Sequence, residues 1–297
     1  MKYSKQPLEP AEHVELLRER GLIIQDETRA KKYLENVGYF RLTGYMFHLQ
    51  KRDGSHMFVD NVSFNDIILH YQFDKKLRSL FLDYIERIEV ALRARLSNAF
   101  SIRHGFYWYT EYELYLDKHV YHGINQEIKE YFVDPQERYL KSFKFKYNSE
   151  NIPPSNMAME ILTLGKLSRL FKAVVNDEEK TAISLAFGIP STMLASWLIR
   201  LTIVRNICAH HARLWNRKLS AAQPVIPTRK KNKFNGELPQ DFRTSVYGII
   251  AMTDRLLKKI NPTHSFITKV IDLIDEYPTI NTSLMGFPDN WREEPAW

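Results

Sequence analysis

An all-α fold is predicted for this 297-residue chain by three features of its sequence. Apolar residues recur at three- and four-residue steps over long stretches. Helix-starting and helix-stopping residues flank most of those stretches. No segment alternates apolar and polar residues for the length of a strand. The first feature is clearest from Phe64 to about Ile102, where Ile67, Ile68, Tyr71, Leu77, Phe81, Tyr84, Ile85, Ile88, Leu92 and Leu96 fall on one stripe. Glu89 and Arg93, four apart, add a pair that supports a helix there. Unbroken, this segment would be roughly 55 Å long at 1.5 Å per residue, so a kink or two stacked helices would accommodate it.

The other elements follow in order. EPAEHVELLRERG has helical spacing and stops at Gly21, a C-terminal glycine. DETRAKKYLENVG opens on an Asp–Glu–Thr cluster suited to a helix start and runs to Gly38. Asp53-Gly54 marks a turn between two short stretches of strand or coil. RHGFYWYTEYELY begins an aromatic, irregular region, and Val133–Pro154 reads as a short helix and a loop. Helical spacing resumes in NMAMEILTLGKLSRLFKAV. It continues in NDEEKTAISLAFG, where Asn176 or Asp177 serves as cap, and in a long helix from Pro190 through Trp215. A proline-bounded basic loop and two helices, DFRTSVYGIIAMTDRLLKKI and HSFITKVIDLIDEY, complete the chain. The expected organisation is an N-terminal helical segment (1–60), a helical core (61–220), and a basic loop with C-terminal helices packed on that core (221–297).

With 44% hydrophobic and 26% charged residues, the composition is that of a soluble protein with an ordinary core. No apolar run is long enough to cross a bilayer, and the first residues lack a signal-peptide core, so a cytoplasmic protein is expected. A single cysteine, Cys208, excludes an internal disulfide framework and reads as a small buried side chain. The net charge is +7, and its distribution matters more than its size. Arg200–Gly236 holds nine basic residues and no acidic one, while the remainder carries 33 basic against 35 acidic residues. A run of that length without an acidic residue points to a phosphate backbone as partner.

The same run contains RNICAHHARLWNR, Arg205–Arg217. If the helix continues to Trp215, Asn206, His210, Arg213 and Arg217 lie in one row, with Arg205 at its flank and an apolar face opposite. A histidine exchanges a proton near neutral pH, and arginines hold phosphate. His210 and His211, being adjacent, would point about 100° apart and so would not flank one phosphate.

Arg205-Asn206 followed by His210 resembles the R-x(4–6)-H signature of HEPN ribonucleases. Together with YLENVGYFRLTGY, YQFDKKLRSLFLDYIERIEVALRARLS, MEILTLGKLSRLF and SWLIRLTIVRNICAHHARLWNRKL, it resembles the Abi-like family, the AbiD/AbiF-type abortive-infection proteins of bacteria. The similarity runs from about Gln6 to Leu219. It implies a HEPN-like helical bundle, metal-independent endoribonuclease activity in phage defence or a toxin–antitoxin pair, and action as a homodimer on RNA. By that resemblance Arg205 stabilises charge on the phosphate, Asn206 orients His210 or the phosphate, and His210 moves the proton. No cofactor or metal is expected, since no Asp/Glu cluster adjoins the motif.

Other residues keep two readings each. His211 is either catalytic or structural. Arg213, Trp215, Asn216 and Arg217 either contact RNA or lock the helix to its neighbours. Glu86 and Glu89 are candidate structural partners of the motif arginines. Arg229, Lys230, Lys231 and Lys233 are expected to bind RNA without specifying its sequence. Arg41, Thr43 and Tyr45 belong to the N-terminal stretch of the resemblance and have no chemistry assigned.

Overall fold

The computed structural model describes residue 2 and residues 6–175, 177–228 and 233–297. Among them are 12 α-helices and no strand, with 62% of the chain helical. The all-α expectation holds. The chain divides into two compact units, Met1–Leu77 with Leu273–Ile280, and Arg78–Asp272 with Asn281–Trp297.

In the first unit, α1 (Pro10–Glu19) starts from a capping box between Glu9 and Glu12. It ends with Gly21 in the left-handed region (φ 84°), whose N–H donates to Arg18 O while Leu22 N–H donates to Leu17 O. α2 (Glu27–Asn36) is capped by Asp26, which accepts from Arg29 N–H at 2.8 Å, and packs on α1. The Asp53-Gly54 turn closes a small loop held by an isolated Gln50–Phe58 bridge. α3 (Tyr39–Met46) contains the residues that the sequence left without a role. Tyr45 is buried and donates its hydroxyl to buried Asp74 at 2.6 Å, and Thr43 donates to Phe40 O. Both side chains are structural.

The periodic segment after Ser63 forms α4 (Phe64–His104), a single helix of 41 residues. Its Glu89–Arg93 pair is present at 2.6 Å. Arg93 also donates to Met159 O and Leu162 O, fixing the end of α7 (Ser155–Ile161). The aromatic, irregular stretch after α4 contains two short 3-10 turns. Trp108, Tyr109 and Tyr115 are buried, and the Tyr109 hydroxyl donates to Pro153 O.

α5 (Lys118–Val133) and α6 (Arg138–Lys146) follow. The expected helix after Pro154 is divided at Leu162: Thr163 turns extended and its hydroxyl caps α8 (Leu164–Ala173) by accepting from Lys166 N–H. Asp177 caps α9 (Glu178–Ala186); Asn176, the alternative cap, lies outside the described residues.

α10 (Ser191–Ala209) is the central helix of the second unit, packed against α8, α9 and α11 (Val246–Ile260). It approaches α8 closely at Gly165, where a Cβ would stand 3.3 Å from Thr202 Cγ2. α11 begins at Val246, capped by Ser245, later than the sequence suggested, and α12 (Phe266–Glu276) ends the helical series. Among the described residues no single helix is long and apolar enough to cross a membrane; α9 and α10 pass the length and composition criteria only as a pair bent by 61°.

Candidate functional site

α10 carries the motif on its last turns and ends inside it. Met193, Leu194, Trp197, Leu198, Leu201, Val204 and Cys208 bury one side of the helix, Cys208 as expected. Asn206 is exposed, and His210, also exposed, is the C-cap residue, its N–H donating to Asn206 O at 2.9 Å. The two therefore stand one turn apart at the helix end.

The helix does not continue to Trp215. His211 takes φ 56°, its N–H donates to Cys208 O at 3.1 Å, and Ala212 N–H donates to Ile207 O at 2.9 Å. This bonding closes the helix and sends the chain away. Arg213 and Arg217 consequently leave the row with Asn206 and His210 that a continuous helix would have made. α1 and α9 close in the same way, but with Gly21 and Gly188 in the left-handed position. In α10 a histidine occupies it, where a Cβ is disfavoured by about 1–2 kcal/mol. His211→Gly is accordingly expected to raise stability by about 1 kcal/mol, or the melting temperature by roughly 2 °C. A melting temperature that stays or falls would show that the His211 side chain itself holds the turn.

Beyond His211 the chain forms a strap across the second unit. Leu214, Trp215 and Leu219 are buried, and Asn216 has φ 50°. Fully buried, Trp215 is packing and offers no face on which a base could stack. Arg217 is exposed and donates to Arg213 O at 3.1 Å. The strap is fastened at Leu219, whose N–H donates to Thr244 O (2.8 Å) and whose carbonyl accepts from Arg200 Nη1 (2.6 Å). Arg200 is 1% exposed, and burial pulls its guanidinium below the ordinary arginine value. The signal that could have found this latch is an arginine flanked on both sides by apolar residues of the helix, Ile199 and Leu201.

The basic run is thus not one surface. Arg200 is interior, and Arg205 is half-buried in a hollow of about 380 Å³ with Asp83, Glu86, Glu89 and Arg93 of α4. Glu89 is already paired with Arg93, and Asp83 and Glu86 line the same hollow as Arg205. Arg205 and Asn206, being consecutive, face about 100° apart. Lys218 and Lys233 are exposed; Arg229, Lys230 and Lys231 lie outside the described residues.

Asn206 lines a different cavity, an open groove of about 890 Å³ between α5, α8 and α10. Leu116, Val120, Ile199 and Ile203 supply apolar walls, and Lys166, Arg169 and Lys172 stand on the α8 side. Sequence reasoning missed this groove because its cations are spread along an amphipathic helix and read as a solvated face. For metal ligation, His104, Asp177 and Glu179 bring one nitrogen and two carboxylate oxygens within 4.8 Å of one another. None of the three belongs to α10.

Comparison with known proteins gives a family. The family described as Abi-like protein matches residues 32–216, from within α2 into the first part of the strap and including all of Arg205–Asn216. No curated protein and no solved structure matches the chain. The match covers more than half of the sequence, and the chain belongs to the Abi-like protein family, whose name points to abortive infection.

Proposed function

We propose that this chain is a HEPN-type endoribonuclease of a bacterial abortive-infection or toxin–antitoxin system. The observation that supports this best is the end of α10, where Asn206 and His210 stand one turn apart, exposed, with Arg205 directly before Asn206 in the chain. In the reaction, a base takes the proton of an RNA 2′-hydroxyl as O2′ bonds to the adjacent phosphorus. The P–O5′ bond breaks and an acid protonates the departing oxygen, leaving a cyclic phosphate. Arg205 stabilises the charge on the phosphate oxygens, and Asn206 orients the phosphate or His210.

The reaction uses two proton-transfer groups on opposite sides of the phosphorus. His211, next in sequence and the residue whose left-handed backbone closes the helix, reads as structural rather than as the second. A homodimer would supply it, because a two-fold interface presents the same patch twice and brings a second His210 to the site. Adding His210→Ala chains in threefold excess at fixed wild-type concentration, with subunits exchanging, is then expected to leave about one quarter of the activity. Constant activity through the titration would sink the shared site.

A second reading, an RNA-binding module that does not cut, draws support from the hollow that Arg205 shares with Asp83, Glu86 and Glu89, a setting that suits a structural arginine. Incubating the purified chain with mixed RNAs in chelator separates the two: cleavage favours the nuclease, and retention without cleavage favours the module.

A further inference from the structure

We infer that the groove between α5, α8 and α10 holds the single-stranded RNA that leads into the Asn206–His210 site. The inference rests on the reading of RNA as partner and adds where the strand lies and which residues grip it.

α8 is divided lengthwise by burial. Leu164, Leu167, Leu170 and Phe171 face the core, whereas Lys166, Arg169 and Lys172 recur every third residue on the groove side. Those three cations span about 9 Å along the helix at 1.5 Å per residue, room for more than one phosphate. Arg169 and Lys172 are exposed, and no ion pair joins either to an acidic side chain among the described residues; Lys166 is paired with Glu127 at 2.7 Å. The one carboxylate lining the groove, Asp117, already caps α5, accepting from His119 N–H and Val120 N–H. The free charge of the groove is therefore positive.

Opposite the cations, Ile199 and Ile203 of α10 present half-buried apolar surface. Ile199, Thr202, Ile203 and Asn206 line the groove at helical steps, so its α10 wall runs directly to Asn206 and, one turn on, to His210. A cationic rim over an apolar wall suits a strand whose phosphates and base faces are both available. In a duplex the bases are paired and stacked inward, and only the phosphates could be used.

The test measures binding of the full-length chain to a labelled 12-nucleotide single-stranded RNA and to a blunt RNA duplex over a range of salt, in chelator. Arg169→Gln with Lys172→Gln, both surface changes, is expected to weaken single-strand binding at least tenfold. It should also flatten the dependence of log affinity on log salt by about 1.4, since each phosphate contact on a single strand contributes about 0.7. Ile203→Glu, placing a negative charge on the apolar wall, is expected to weaken the same binding without removing a cation. Unchanged affinity and salt slope in the double variant, or a wild-type chain that prefers the duplex, would overturn the groove. A wild-type chain that binds but never cuts RNA, with the predicted slope change in the double variant, supports the groove while ending the nuclease reading.

Discussion

His210→Ala is expected to lower RNA cleavage by about 10²–10⁴-fold, a rise of roughly 3–5 kcal/mol in the barrier, while the melting temperature stays within a degree of wild type. The size follows from removing a proton-transfer group. The unchanged stability follows from structure: the side chain is exposed, and alanine keeps the backbone N–H that bonds to Asn206 O. Arg205→Ala is expected to lose activity too, but it also leaves Asp83, Glu86 and Glu89 with one cation fewer in their hollow. Its effect therefore mixes chemistry with local repulsion, and His210 gives the sharper test. Wild-type cleavage rates in purified His210→Ala protein would remove the site assignment.

Gly248→Ala is expected to be among the most damaging single substitutions outside the site, costing about 3 kcal/mol. A Cβ at Gly248 would fall on the Phe242 carbonyl oxygen, and backbone atoms cannot give way as the tip of a lysine would. Gly248 N–H also donates to the hydroxyl of Ser245, which caps α11. The turn it supports contains Thr244, whose carbonyl receives the Leu219 N–H of the strap. Urea unfolding of the variant, beside Ser245→Ala at about 1 kcal/mol for loss of the cap alone, would check the ranking. A Gly248→Ala protein as stable as wild type would mean that the 242–245 turn shifts freely.

Much of this architecture was legible in the sequence, for identifiable reasons. The stripe from Ile67 to Leu96 faces a core over its whole length, so helical periodicity alone defined α4. Gly21 and Asp26 placed the junction of α1 and α2, because a left-handed glycine and a capping carboxylate act within a few residues. The end of α10 was not legible. Its stop is made by His211, a far weaker signal for the left-handed region than glycine, and the apolar spacing of Leu214 and Trp215 continued the helical pattern past it. Those two side chains are buried by the strap, so tertiary packing reproduced a period that no helix carries. Arg200 misled for a related reason: nearest-neighbour charge cannot tell a latch to a backbone carbonyl from an exposed cation. The expected row of Asn206, His210, Arg213 and Arg217 dissolved with the helix, while the Asn206–His210 spacing lies within α10 and its cap and survived.

The closure of α10 has a consequence for conformational entropy. Fixing the backbone of one residue costs roughly 1–2 kcal/mol at room temperature. Three consecutive N–H groups, those of His210, His211 and Ala212, are bonded back to Asn206 O, Cys208 O and Ile207 O. That ordering is met once, when the chain folds, and in the proposed reaction it is not met again at each encounter with a substrate. A histidine on a free loop would have to be immobilised every time it acted. Here its backbone is already held, and only the rotation of the imidazole about its own bonds remains to be set.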